Sequence, residues 1–342
     1  MKLGIICPSE IALRRFMPAI QKINEIEFVG LGVCNVDERF SENLPDNTIV
    51  QLVMNDEYKK AQQFINQYGG KIFESYRTIV ESNEIEALYI PLPPALHYKW
   101  AKLAIEKGKH VLVEKPSTIS AKDTCELVKN AKQRGVALHE NYMFAFHRQL
   151  KDIDKIIESG EIGEVRLYRL CFGFPRRAAN DFRYNKALGG GALLDAGGYT
   201  IKYAGMLLGE TARLVYAHLN YVDEFDVDMY GSAALVNDDG TTVQIAFGMD
   251  NNYKCELEVW GSKGCLTTGR VLTAPVGLVP TVTIRKGNED EVRKLSADDA
   301  FGNSIRHFLA CVSDENVRKE SYEMLIRQAE LVDEFRRLAG EI

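Results

Sequence analysis

The 342-residue chain contains no apolar run near the ~20 residues a membrane-spanning helix requires. Its first residues, Met1-Lys2-Leu3-Gly4-Ile5-Ile6-Cys7-Pro8, pass directly into a short apolar strand, too short for a signal peptide. Seven cysteines, an odd number with no Cys-x-x-Cys, fit reduced thiols and a cytoplasmic location. No two of the six histidines lie three or four residues apart, so no dedicated metal site is expected. A basic excess is also missing. The net charge of −6 argues against a general nucleic-acid surface, and nothing suggests a membrane partner. Repeats and low-complexity tracts are absent. Glycine is missing where it would be most informative. A G-x-G-x-x-G/A turn after the first strand would fall on Cys7-Pro8-Ser9-Glu10-Ile11-Ala12, where Cys7 and Ser9 replace the first two glycines and only Ala12 fits. Ser9 is small and carries a hydroxyl to offer a phosphate; Glu10 is an awkward charge beside one.

A hydrophobic content of 46% is ample for a sizeable core, and the length suggests about two domains. Leu3 to Cys7 and Glu27 to Val33 read as strands flanking a helix-like segment from about Glu10 to before Pro18, the outline of a dinucleotide-binding unit. After the second strand, Asn35, Asp37 and Arg39 leave the choice between a ribose hydroxyl and a 2′-phosphate open, so NAD and NADP are not distinguished. Residues 40–55 read as an irregular insertion with turn chemistry at Asn43-Leu44-Pro45-Asp46-Asn47, followed by a helix from Tyr58 to Tyr68. Ala87 to Pro116 forms a βαβ unit: Ala-Leu-Tyr-Ile, a helix carrying His97 and Trp100, then Val111-Leu112-Val113-Glu114-Lys115-Pro116. Lys115 therefore sits at the carboxyl end of a parallel strand, the edge at which open α/β sheets bind ligands. Val136 to Leu138 reads as the last parallel strand.

Beyond about residue 145 the rhythm changes. Val165–Phe174, Arg213–Val222, Val227–Val236, Thr242–Met249, Lys254–Trp260 and Val282–Arg285 read as strands, several joined by tight turns such as Asn237-Asp238-Asp239-Gly240. The expected fold is α/β: a Rossmann-like doubly wound parallel sheet over 1–142, then an α+β substrate-binding and oligomerisation domain with a large, open, mainly antiparallel sheet over 143–342. The helix from Ser321 to Leu338 is free to pack back on the first domain. Before those later strands comes Leu188-Gly189-Gly190-Gly191-Ala192-Leu193-Leu194-Asp195-Ala196-Gly197-Gly198-Tyr199. Two glycines inside a helix each cost about 1 kcal/mol relative to alanine, which points to close approach of another group. Asp195 and Tyr199, four apart, share a helical face.

Glu114-Lys115-Pro116 and the Gly189–Gly197 run resemble the two signature motifs of the Gfo/Idh/MocA oxidoreductases, and Tyr89-Ile90-Pro91-Leu92-Pro93 with His97 and Trp100, and Met143-Phe144-Ala145-Phe146-His147, extend the resemblance over nearly the whole chain. Pro94 and Tyr199 depart from the residues many members carry, asparagine and histidine. The resemblance implies NAD(P)-dependent hydride transfer between nicotinamide and a carbinol or ketone of a sugar, sugar nucleotide or cyclitol. It implies dinucleotide contacts at Cys7, Pro8, Ser9, Glu10 and Ile11, at Asn35 and Arg39, and at Pro91, Leu92, His97, Trp100, Glu114 and Lys115, with His97 and Trp100 lining the nicotinamide side. Tyr199 is the candidate proton carrier with Lys115 beside it; the reverse assignment stays open, and Asp195 holds the substrate hydroxyl or Lys115. A free phenol titrates at about 10, and a nearby ammonium lowers that. Asn141, Arg176 and Arg183 are further candidate substrate contacts, the arginines for a phosphate or carboxylate. The family also implies a homodimer or homotetramer through the open sheet. The alternative from another class is a dinucleotide-binding sensor without turnover, favoured by the degraded glycine turn.

Overall fold

The computed structural model describes residues 1–40 and 46–342. The chain forms two compact units. The first comprises Met1–Thr118, Lys122–Asn141 and Ile305–Leu325; the second comprises Ile119–Ala121, Tyr142–Ser304 and Ile326–Ile342.

Short strands of β-branched and leucine residues build the first unit. They are β1 (Lys2–Ile6), β2 (Glu27–Gly32), β3 (Lys71–Phe73), β4 (Ala87–Ile90), β5 (His110–Val113) and β6 (Leu138–Glu140). All pair in parallel in the order β3-β2-β1-β4-β5-β6. Every residue of β4 is buried, as a strand covered on both faces requires. The helices between are α1 (Met17–Ile20), α2 (Val36–Phe40), α3 (Asn47–Tyr68), α4 (Tyr76–Glu81), α5 (Pro94–Glu106) and α6 (Ala121–Arg134). Three expectations need correction. The first helical stretch does not stop before Pro18: a π-helical turn over Ala12–Phe16 leads into α1, and Pro18 sits directly after that widened turn. The expected insertion is helical from Asn47, because Asp46 accepts the Thr48 N–H at 2.8 Å and caps α3; the turn chemistry at Asn43-Leu44-Pro45 lies outside the described residues. The last strand is β6, two residues later than expected.

The second unit holds α7 (Gln149–Glu158), α8 (Gly198–Leu208) and an eight-stranded sheet of β7 (Val165–Gly173), β8 (Arg213–Tyr221), β9 (Asp228–Val236), β10 (Thr242–Gly248), β11 (Lys254–Gly261), β12 (Cys265–Gly269), β13 (Thr281–Lys286) and β14 (Glu289–Lys294). Its order is β14-β13-β12-β11-β7-β10-β9-β8. All neighbours are antiparallel except β7 and β10, which run parallel. Inward positions such as Leu170, Val243, Ile245, Leu257 and Val259 are buried, while the alternate residues face out. The buried face takes Ile201, Ala204 and Leu208 of α8. Two further helices complete the chain: α9 (Ala300–Ser313), which periodicity had not revealed, and α10 (Glu315–Leu338), which begins six residues earlier than expected. Phe335 of α10 packs on Phe247 at 5.6 Å between ring centroids.

Candidate active site

The strand order of the first unit reverses between β1 and β4, the switch point at which doubly wound sheets hold dinucleotides. The turn after β1 keeps the required conformation without the usual residue. Cys7 adopts φ 79°, the left-handed region that favours glycine, at a cost of roughly 1–2 kcal/mol. Its N–H donates to Gly32 O at 3.1 Å, Ser9 N–H donates to Cys7 O at 2.9 Å, and Ser9 Oγ accepts the Ala12 N–H at 3.2 Å, capping the helix that follows. Burial, reinforced by the Glu57 charge, pushes the Cys7 thiol up to about 12, so it stays protonated at neutral pH.

Glu57 of α3 was not foreseen. Its carboxylate accepts the Cys34 N–H at 2.7 Å, the Cys34 thiol at 2.8 Å and the Tyr76 hydroxyl at 3.0 Å. Nothing in a mid-helix glutamate signals this role. Arg39 and Lys60 lie near enough for their charge to act on Cys7. Asn35 serves the fold: it exchanges hydrogen bonds with Glu38, which also accepts the Tyr76 and Arg77 N–H groups at the start of α4.

At the ends of β4 and β5 the placements of His97 and Trp100 differ from expectation. His97 is fully buried, with Nδ1 2.8 Å from Pro116 O and Nε2 2.7 Å from Leu92 O. Burial pushes it down to about 4 although both carbonyls pull it up; the neutral ring has a single N–H and donates it to one of the two carbonyls. Trp100, 3% exposed, packs edge-on against Tyr76. Both act through the residues they hold. Glu114 accepts hydrogen bonds from Tyr89 at 2.6 Å and Asn141 at 2.7 Å, and burial raises its pKa. Asn141, expected against substrate, thus anchors Glu114, and Lys115 follows directly at the strand end. Pro91 and Leu92 are buried at the end of β4, and the Lys115–Pro116 peptide is cis.

In the second unit the glycine run ends in a π-helical turn, Leu193–Gly197, that continues as α8. Such widened turns recur at functional sites. The packing here is close. A Cβ on Gly197 would lie 3.0 Å from the Phe247 ring, and one on Gly198 would lie 2.2 Å from the Tyr142 hydroxyl. Asp195 accepts from Arg183 Nε at 2.6 Å, and Arg183 also holds Asp181 at 3.1 Å. Tyr199 stands in an aromatic box, perpendicular to Tyr142 at 5.2 Å and close to Phe172 and Phe144. Asp228, also unforeseen, accepts the Leu193 N–H at 2.6 Å and packs against Gly191; burial pushes its carboxyl up to about 6. Arg176 pairs with Glu224 at 2.7 Å and Asp250 at 2.8 Å. Both arginines expected on a phosphate or carboxylate therefore already hold carboxylates of the protein.

A parallel sheet with a strand–turn–helix at its switch point, a lysine at a neighbouring strand end, and an acid and phenol on a bulged helix define a dinucleotide-dependent oxidoreductase. Residues 25–142 match the oxidoreductase family with NAD-binding Rossmann fold, and residues 150–267 match the GFO/IDH/MocA C-terminal domain. The chain belongs to the Gfo/Idh/MocA family of NAD(P)-dependent oxidoreductases, which act on the carbinol or ketone groups of sugar-type substrates. It is 35% identical over 342 residues to dTDP-3,4-didehydro-2,6-dideoxy-alpha-D-glucose 3-reductase of Actinomadura kijaniata, covering 100% of this chain and 96% of that one. The enzyme of the same name from Streptomyces violaceoruber is 35% identical, with 99% and 95% covered. A 3-ketoreductase from Actinomadura kijaniata, solved with NADP and TDP-benzene, superposes with a TM-score of 0.88 at 34% identity, covering 98% of this chain and 97% of that one.

Proposed function

We propose that this protein is an NADP-dependent ketoreductase acting at C3 of a nucleotide-linked keto-deoxysugar. The observation that carries this reading is end-to-end similarity to reductases of that name, together with Lys115, Asp195 and Tyr199 in the family's motifs. The β1 turn, with its left-handed Cys7 and capped helix start, fits a pyrophosphate, and Arg39 beside it suits a 2′-phosphate. When bound, the reduced nicotinamide supplies the hydride.

The rest of the chemistry belongs to side chains. The ketone oxygen gains negative charge as its carbon is reduced, and Tyr199 gives it the hydroxyl proton. The phenolate left behind then recovers a proton from solvent, and Lys115, at its strand end, is the cation that the family's motif supplies to the reaction. Asp195, fixed by Arg183, accepts a hydrogen bond from a sugar hydroxyl and sets the ring's orientation. A ketone becomes an alcohol, and one reduced dinucleotide is oxidised.

The test supplies the purified protein with NADPH and the dTDP-linked 3-keto sugar generated in situ. The expected result is NADPH oxidation with a nucleotide-sugar product heavier by two hydrogens. Oxidation of unlinked aldoses alone, with no turnover of the nucleotide sugar, would replace this reading with that of a free-sugar dehydrogenase.

We assign the enzyme to the cytoplasm; no helix among the described residues is long and apolar enough to cross a membrane, and none of the seven cysteines is in a disulfide. We further assign a homodimer or homotetramer through the outward face of the eight-stranded sheet, where Tyr216, Tyr230 and Trp260 are exposed. Light scattering should give a multiple of the chain mass that falls in Trp260→Glu.

A further inference from the structure

The first unit contains a side-chain cluster that the redox reaction does not use. His307 and Cys311 lie four residues apart on α9 and share one helical face. His139 projects from β6, the edge strand of the parallel sheet, and its ring centroid lies 5.3 Å from that of His307. The donor atoms of these three side chains all lie within 4.8 Å of one another, and no other group of three such residues meets this condition among the described residues. His139 and Cys311 are buried and His307 is half-buried, which leaves an approach from solvent. The start of α10 closes over the same strand: Ser321 donates to Leu138 O at 3.4 Å, and the Tyr322 hydroxyl donates to Val136 O. Burial, with the Glu320 charge, pushes the Cys311 thiol up to about 11 against the pull of Ser321 and Arg318, so the thiol keeps its proton until a metal displaces it. Arg318 is pinned on the Cys311 and Val312 carbonyls at 3.2 Å, and its charge acts on the thiol. Glu320 acts on both His307 and Cys311.

We propose that His139, His307 and Cys311 bind a borderline-soft divalent ion of the zinc class, clipping α9 to the sheet edge. Two imidazoles and a thiolate select zinc, cobalt or copper over magnesium and calcium, which require oxygen donors. Bonds of about 2.0–2.3 Å place tetrahedral donors roughly 3.3–3.7 Å apart, so the three side chains close by about an ångström through side-chain rotation. The fourth position goes to water. On binding, the Cys311 S–H bond breaks, a sulfur–metal bond forms and the proton passes to solvent; each imidazole contributes a lone pair, and nothing is oxidised or reduced. The metal ties together elements distant in sequence, so it acts on stability rather than on turnover. The sequence concealed the site because the helical pair mixes a histidine with a cysteine.

The test titrates Co²⁺ into the full chain after chelator treatment. One equivalent should bind with a thiolate-to-cobalt charge-transfer band and tetrahedral ligand-field bands, both removed by Zn²⁺, and either metal should raise Tm. Cys311→Ser should lose the charge-transfer band and the Tm gain. His307→Asn, at a half-buried position that leaves the thiol in place, should weaken binding at least about tenfold. Absence of the band in the unmodified protein, its persistence in Cys311→Ser, or unchanged affinity in His307→Asn would each overturn the proposal.

Discussion

Arg183 spans two carboxylates: Nε donates to Asp195 at 2.6 Å and Nη1 donates to Asp181 at 3.1 Å. The bridge is 20% exposed on the arginine side and 12% at Asp195, so it holds Asp195 in one orientation. Replacing Arg183 with alanine leaves a partly buried carboxylate without its cation. The expected outcome is a fall in kcat/KM of about tenfold to a hundredfold with NADPH affinity unchanged, measured by steady-state kinetics alongside dinucleotide titration. A loss of NADPH affinity instead would place Arg183 with the cofactor.

Proton delivery is tested at the phenol. Tyr199→Phe keeps the aromatic box around residue 199 and removes only the hydroxyl. It should lower kcat by about 10²–10⁴-fold with little change in Tm. Lys115→Met should abolish turnover and leave dinucleotide binding intact; normal turnover in that variant removes Lys115 from the mechanism.

The proposed cofactor choice is tested at Arg39. Charge reversal in Arg39→Glu should weaken NADPH binding at least tenfold relative to NADH, because a carboxylate repels a 2′-phosphate and accepts from a 2′-hydroxyl. Fluorescence titration with both dinucleotides reads the ratio directly. An unchanged ratio would assign the 2′-position elsewhere, with Lys60 the next residue to replace.

His97 predicts a pH dependence. Burial holds its folded pKa at about 4, against an ordinary value of 6.5. Its contribution is present above 6.5 and is lost as pH falls through 4, amounting to roughly 3 kcal/mol. Asp228 works in the opposite sense: its folded pKa is raised to about 6, so its contribution is present below 3.8 and disappears as pH rises through 6. Melting curves between pH 4 and 7 should therefore fall less steeply toward acid in His97→Asn than in the unmodified protein. Asp228→Asn should gain stability relative to the unmodified protein as pH rises. Parallel curves for all three would show that neither group titrates differently on folding.

The parallel strands and the hairpin-linked strands were legible because their apolar periodicity and turn residues are local signals. Lys115 was legible for the same reason: three apolar strand residues precede it directly. The start of α3 was not, since turn-forming residues around Asp46 mask an N-cap. Glu57 and Asp228 were invisible because their roles depend on partners in other elements, Cys34 and Tyr76 for one and Leu193 for the other. His97 and Trp100 pack against Leu92, Pro116 and Tyr76, partners that sequence order does not reveal, because it does not say which way a side chain points. Gly197 and Gly198 did signal close approach; the groups that approach, Phe247 and Tyr142, had to be seen.

The single parallel pairing in the eight-stranded sheet bears on how that unit assembles. Strands β8 to β10 and β11 to β14 are two meanders, each closed by local turns, and β7 is the seam between them. Neither meander needs β7 to form its own hydrogen bonds, yet the full sheet cannot exist until β7 is inserted. Amide exchange should therefore show the meanders gaining protection early in refolding and β7 gaining it last, as the step that joins two half-sheets into one.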